Sequence, residues 1–369
     1  MKENGLLREL KTLGRNGIYI EYEGQRYLNL SSNDYLGISG MSGLQEEFFQ
    51  TLDMSNYLMG AMSSRLLTGN DVHIEGFEEY LSELYGNECL VYNSGYHANI
   101  GILPALVEKD DLVVADKLVH ASLIDGIKLC ASEFKRYKHN DYNDLERILS
   151  HNAGRYKSIF IVTESIFSMD GDTADLKRIV ELKEKYGSKL YVDEAHAFGV
   201  VGESGLGCAH NNCLTNRIDY LVCTLGKAAA SEGAFLICNK LTKQWLVNKS
   251  RTLIFTTAAP PLNVLWSKFI VSKIVEMKKE REHLAEITRL LRNKLEGQPV
   301  MGNTHIVPIV TGSNEACINL SEKMRNNGVW AMPVRYPTVP LGQARIRLSL
   351  VAAMNRKHID NIYESIFDF

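Results

Sequence analysis

The sequence predicts an α/β protein with a large, mostly parallel sheet and a smaller α+β domain at its C-terminal end. Two observations carry this. Six short apolar runs, ECLVY (88–92), DLVVA (111–115), KSIFIVT (157–163), KLYVD (189–193), DYLVCT (219–224) and AFLIC (234–238), have helix-like stretches between most of them. Strand, helix, strand in series implies parallel strands covered on both faces. After AAPP (258–261) the alternation stops and a long helix-forming stretch leads into mixed strands and helices. A chain of 369 residues and 41.5 kDa has room for this arrangement. The expected division is an N-terminal arm over 1–45, a large α/β domain over 46–261 and an α+β domain over 262–369.

In chain order, IYIEY (18–22) and RYLNL (26–30) flank an E-G-Q turn and read as a hairpin, followed by a loop at SSNDYLG (31–37). YNDLERILSH (142–151) and LKRIVELKEKYG (176–187) read as helices. In the second, Leu176, Ile179, Val180 and Leu182 form one apolar face and Gly187 supplies the stop. Residues 262–296 read as one long helix, rich in Glu/Lys spacings of three and four. HIVPIV (305–310), VWAMPV (329–334) and ARIRLSLV (344–351) read as strands, with a helix near 314–327 and another closing the chain.

Composition narrows the function. Lys plus Arg is 41 and Asp plus Glu is 44, a net charge of −3, with no basic stripe for nucleic acid. No apolar run approaches the roughly 20 residues of a membrane span, and the N-terminus shows no secretory pattern. Seven scattered cysteines without a Cys-x-x-Cys pair fit reduced thiols and a cytoplasmic location, with no metal site. Asp170-Gly-Asp172 lacks the glutamate of a calcium loop.

Several strand ends carry candidate chemistry. Asp193-Glu-Ala-His196 closes an apolar strand, where open α/β sheets bind ligands; the spacing alone equally fits an Asp capping the next turn. Lys227, in TLGK before small residues, is either a desolvated amine suited to Schiff-base chemistry or a surface lysine opening a helix. Ser94-Gly95-Tyr96 lies between a strand and a helix, where backbone N–H groups can hold an anion. The arginines of Arg345-Ile-Arg347 share one strand face, suited to a carboxylate or to an exposed edge strand.

Nine segments in order resemble the α-oxoamine synthases, pyridoxal 5′-phosphate (PLP) enzymes of the aspartate-aminotransferase fold (fold type I). They are SSNDYLG (31–37), SRLLTGN (64–70), NSGYHAN (93–99), HASLIDG (120–126), TESIFSMDGD (163–172), VDEAHAFGVVGESGLG (192–207), TLGKA (224–228), IFTTAAPP (254–261) and PVRYPTVPLGQARIRLSL (333–350). The last points to members that condense L-alanine with a pimeloyl thioester of CoA or an acyl carrier protein; sister enzymes use glycine or serine. The stretch after Lys227 departs from the usual glycine-rich pattern, with Glu232 where a small residue is common.

The resemblance implies roles residue by residue. Lys227 is the Schiff-base lysine, Asp193 the partner of the pyridine nitrogen, His196 a neighbour of the phenolic oxygen and His120 the imidazole stacked on the ring. Ser94, Gly95, Tyr96 and Thr224 hold the phosphate, and Thr256 and Thr257 reach it from a neighbouring subunit. Glu164 and Ser168 line the cofactor site. Asn33, Arg335 and Arg347 meet the substrate. A homodimer is implied, with Arg8 and Arg15 of the arm either carrier-protein contacts or solvated surface charges.

Overall fold

The six apolar runs become six of the seven strands of one sheet, the seventh being the polar edge strand Glu133–Tyr137, in a computed structural model that describes residues 10–53 and 59–367. In chain order the strands are β1 (Gly14–Asn16), β2 (Tyr19–Tyr22), β3 (Gln25–Asn29), β4 (Glu88–Tyr92), β5 (Leu112–Asp116), β6 (Glu133–Tyr137), β7 (Ile159–Glu164), β8 (Lys189–Asp193), β9 (Tyr220–Thr224), β10 (Ala234–Cys238), β11 (Ile306–Gly312), β12 (Val329–Trp330), β13 (Pro333–Val334) and β14 (Ala344–Ser349). They are divided between two units. One holds residues 47–167 and 174–277; the other holds 10–46, 168–173 and 278–367.

The larger unit carries the sheet β4-β10-β9-β8-β7-β5-β6. The pairs β5–β6, β5–β7, β7–β8 and β8–β9 are parallel, and β10 runs antiparallel to both its neighbours. Every residue of β5, β7, β9 and β10 is buried, as a sheet covered on both faces requires. Because β4 to β9 share one direction, their carboxyl ends lie along one edge. Register places Glu164 beside Asp193 and Asp193 beside Val222 there.

The helices Gly95–Leu106 and Ala121–Lys128 follow β4 and β5 from that edge. They pack so closely that a Cβ on Gly126 would stand 2.5 Å from the Asn99 carbonyl oxygen, which only glycine permits. The helix Leu176–Lys185 buries Leu176, Ile179, Val180 and Leu182, the face expected from sequence.

The smaller unit has two sheets, β1-β2-β3-β12 and β11-β14-β13. The hairpin of the arm is present as β2 and β3, and β12 joins it in parallel. Two expectations need correction. VWAMPV is two short strands in different sheets, because β12 pairs with β3 and β13 with β14. The stretch 262–296 is two helices, Pro261–Glu276 and Lys278–Lys294, one in each unit apart from their junction at Met277. Buried positions Val264, Ser267, Ile270, Ile274, Met277, Arg281 and Leu284 keep helical spacing straight through the break, so periodicity alone reads one helix.

Arg8 lies outside the described residues, and Arg15 is exposed. No helix among the described residues is long and apolar enough to cross a membrane.

Candidate active site

The carboxyl edge of the large sheet gathers most of the polar residues singled out from sequence. Asp193 ends β8 and is buried. Its Oδ2 accepts from Asn99 Nδ2 at 2.8 Å and its Oδ1 from the Ala195 N–H at 2.9 Å. The carboxylate is thereby aimed and partly satisfied, leaving lone pairs for a further donor.

Lys227 follows β9, and its Nζ lies 3.1 Å from His196 Nε2. His120 caps the helix Ala121–Lys128: its Nδ1 accepts the Ser122 N–H at 3.2 Å and meets Ser122 Oγ at 2.8 Å. A backbone N–H can only donate, so Nδ1 is the acceptor and the ring proton belongs on Nε2. Burial lowers the His120 pKa, against the opposing charge of Asp193.

Glu164 ends β7, and its Oε1 accepts the His120 N–H at 2.6 Å. Burial first, then the charge of Asp193, hold its carboxyl well above the usual range, with Lys227 acting the other way. Glu164 and His120 thus share the electrostatic surroundings of Asp193 and Lys227.

Ser94 caps the helix Gly95–Leu106, its Oγ accepting the His97 N–H at 3.1 Å. A Cβ on Gly95 would lie 3.6 Å from Thr224 Oγ1, so that hydroxyl stands beside the helix N-terminus. Thr224 Oγ1 itself donates to the Gly233 carbonyl at 3.2 Å. Tyr96 is exposed and its hydroxyl donates to Asp125 at 2.7 Å. Thr256 and Thr257 follow the short helix Arg251–Ile254, and the Thr257 carbonyl accepts from Asn93 Nδ2 at 2.8 Å. Glu232 is exposed.

A second cluster lies in the smaller unit. Arg347, on β14, donates through Nη2 to Asn33 Oδ1 and to the Tyr35 hydroxyl, both at 3.1 Å. Its Nε donates to the Ser168 carbonyl at 2.5 Å and its Nη1 to Ser349 Oγ at 2.7 Å. Asn33, Ser168 and Arg347 are therefore together. Arg335 is half-buried in the turn after β13, its carbonyl accepting the Thr338 N–H at 2.8 Å.

Arg345 is not a solvated edge residue: β14 is the central strand of its sheet, and Arg345 is buried in an ion pair with Asp170 at 2.8 Å. Asp170, the first acid of the D-G-D segment, thus serves an arginine, and no cluster of metal-binding side chains occurs among the described residues. The seven cysteines are all free thiols.

Three residues that matter to the geometry were given no role from sequence. Asn99, Ser122 and Tyr35 each lie inside a quoted motif, but their types signal no chemistry of their own. Position beside a chemically informative residue was the only clue to them.

Comparison with known proteins agrees with the geometry. A family model for aminotransferase class I and II matches residues 25–366. A Pasteurella multocida protein, provisionally named 8-amino-7-oxononanoate synthase, is 45% identical over 365 residues, 98% of this chain and 94% of its own. A serine palmitoyltransferase from S. paucimobilis with a bound PLP–myriocin adduct has a TM-score of 0.90 at 26% identity, over 97% of this chain and 90% of its own. The 8-amino-7-oxononanoate synthase of Francisella tularensis has a TM-score of 0.78 at 27% identity, over 92% of this chain and 96% of its own.

The donor set fits the cofactor bound in the serine palmitoyltransferase structure. Pyridoxal phosphate needs an amine for its aldehyde, a carboxylate for its ring nitrogen and N–H donors for its phosphate. Lys227, the buried and oriented Asp193, and the Ser94-capped helix start offer these on one sheet edge. Fold, site chemistry and relatives agree that the chain belongs to the class I and II aminotransferase family, as a PLP-dependent protein of its α-oxoamine synthase branch.

Proposed function

We propose that this protein is an 8-amino-7-oxononanoate synthase. It joins L-alanine to a pimeloyl thioester, of CoA or an acyl carrier protein, and releases 8-amino-7-oxononanoate, CO₂ and free thiol in biotin synthesis. The observation that carries this choice among sister enzymes is the 45% identity over 98% of the chain to a relative bearing that name. A serine-using sister is the second reading, favoured by the TM-score of 0.90 against 0.78. At 26% identity, however, that likeness speaks for shared fold more than shared substrate.

In this reading each side chain has a defined role. When bound, PLP supplies the electron sink that makes the α-proton of alanine removable. Lys227 would hold the cofactor aldehyde and, once the amine of alanine has displaced it there, its freed amine would take and return that proton, beside the His196 imidazole. Asp193 keeps a proton on the ring nitrogen. His120 covers the ring face, His196 meets the phenolic oxygen, and Glu164 and Ser168 line the site. The helix start at Ser94, Gly95 and Tyr96, with Thr224, holds the phosphate. Arg347 and Asn33 receive the alanine carboxylate, and Arg335 meets a substrate carboxylate. The α-carbon of alanine attacks the thioester carbonyl, the thiolate leaves and takes a proton from solvent, the carboxylate departs as CO₂, and a proton returns to that carbon.

A homodimer belongs to the same reading, with Thr256 and Thr257 serving the partner's phosphate. Exposed Met59, Met62, Leu66, Leu67 and Phe255 suit burial against a second copy. The free thiols go with a cytoplasmic location.

The deciding experiment follows thiol release with L-alanine, glycine or L-serine against pimeloyl, acetyl and palmitoyl thioesters. Alanine with the pimeloyl donor is expected to turn over fastest. Preference for serine with a palmitoyl donor would transfer the protein to the sister reading.

A further inference from the structure

The amide of Asn99 joins Asp193 to the His120 side of the site. It is buried, one turn inside the helix that begins at Gly95. Its Nδ2 lies 2.8 Å from Asp193 Oδ2 and 2.9 Å from Ser122 Oγ, and its Oδ1 accepts the Tyr191 hydroxyl at 2.6 Å. Both N–H bonds and the carbonyl are therefore used, and the amide has one orientation. Turned over, it would place its oxygen against the Asp193 carboxylate and its NH₂ against the Tyr191 proton.

Proton directions follow along the chain. Tyr191, two residues before Asp193 on β8, projects to the same face and donates to Asn99. Asn99 donates to Asp193 and to Ser122. Having accepted that bond, Ser122 Oγ has its own proton to offer His120 Nδ1, 2.8 Å away, where the Ser122 N–H also points.

We propose that Asn99 is a positioning residue that fixes the Asp193 carboxylate toward the cofactor ring nitrogen and, through Ser122, fixes the tautomer of His120, with Tyr191 locking the amide. The inference deepens the site reading and rests on its assignment of Asp193. The helix Gly95–Leu106 then acts at two places. Its first turn would hold the phosphate, and Asn99, one turn further on, would orient the acid that serves the ring nitrogen. Gly126 is part of the arrangement, because its missing Cβ lets the Ser122 helix approach the Asn99 backbone.

The test uses full-length protein loaded with PLP, comparing wild type with Asn99→Ala, Tyr191→Phe, the double variant and Asp193→Asn. Two quantities are read: the PLP dissociation constant of the apoprotein, and the pH midpoint of the visible absorbance change of the loaded protein. Asn99→Ala should weaken PLP binding roughly tenfold, the scale of one hydrogen bond to a charged group, and should move the midpoint. Tyr191→Phe should move both in the same direction by less, and the double variant should match Asn99→Ala, since Tyr191 acts through Asn99. A residue that merely fills space would lower thermal stability and leave the midpoint in place.

If Asp193→Asn is impaired while Asn99→Ala and Tyr191→Phe keep the wild-type midpoint and bind PLP within twofold of wild type, the inference falls and the site reading stands. If Asp193→Asn also matches wild type, the site reading falls with it. Should Asn99→Ala fail to fold, Tyr191→Phe alone decides: an unmoved midpoint overturns the proposal and a moved one supports it.

Discussion

Lys227 and His196 face each other across 3.1 Å, Nζ to Nε2, at the carboxyl edge of the large sheet. In the proposed reaction this amine bonds to an aldehyde and then shuttles a proton, a task that gains from a neighbour able to accept one. Lys227→Ala is expected to lose about 10²–10⁴-fold or more in turnover, the range of general acid–base catalysis. It should also lose covalent retention of the cofactor after borohydride reduction and denaturation, read by mass spectrometry. Retention of the cofactor mass by Lys227→Ala would show that another amine does the work.

Arg345 and Arg347 point to the same side of β14 and predict opposite phenotypes. Arg345 is paired with Asp170 and both are buried, so Asp170→Ala leaves a buried charge without its partner. Such losses cost roughly 3–5 kcal/mol, and chemical denaturation should report it. Arg347→Lys should instead raise the KM for the amino acid with a smaller stability change, because lysine cannot reproduce the fork that reaches Asn33, Tyr35, Ser168 and Ser349. Equal effects of the two variants on KM would contradict this division.

Ser94→Ala removes the side-chain cap of the helix Gly95–Leu106, whose Oγ takes the His97 N–H. Loss of a cap costs about 1 kcal/mol. If the helix start holds the phosphate, PLP should dissociate faster from this variant, while capping losses elsewhere, such as Ser313→Ala in the smaller unit, should leave PLP release unchanged. Stopped-flow release of the cofactor separates the two.

Much of this architecture is legible in the sequence because the large sheet is built from apolar runs bounded by polar ends. Both faces of β5, β7 and β9 are buried, so the runs are continuous and easy to see. The polar residue that ends each strand then falls on one edge, which is why Asp193 could be picked out from its strand, whereas the roles of Glu164 and Thr224 came from the family resemblance. Legibility fails where partners are distant. Nothing near Arg345 announces Asp170, 175 residues away, so the two arginines of β14 look alike. The break at Met277 is hidden because apolar spacing continues across it. Asn99 is hidden for another reason: an amide reveals its role only through the three groups around it.

Glu194, next to Asp193, gives the clearest pH dependence. It is wholly buried, its Oε1 accepts the Ala209 N–H at 2.9 Å, and its Oε2 faces Gly207 so closely that a Cβ there would stand at 1.9 Å. Gly207 has φ +98, so Gly207→Ala is opposed by both backbone and space. Burial, only partly offset by the Ala209 N–H, raises the Glu194 carboxyl from 4.5 to about 7. The folded state therefore keeps a proton that the unfolded chain releases above 4.5, so the stability from this group is full below 4.5 and is lost as pH rises through 7. Over that window the loss amounts to roughly 3 kcal/mol. Glu194→Gln cannot titrate and should lack this slope, whatever its absolute stability. Urea unfolding at acid and alkaline ends of the window should show the Gln variant gaining on wild type as pH rises; parallel pH profiles would mean that Glu194 stays charged in the folded protein and that the Ala209 bond outweighs its burial.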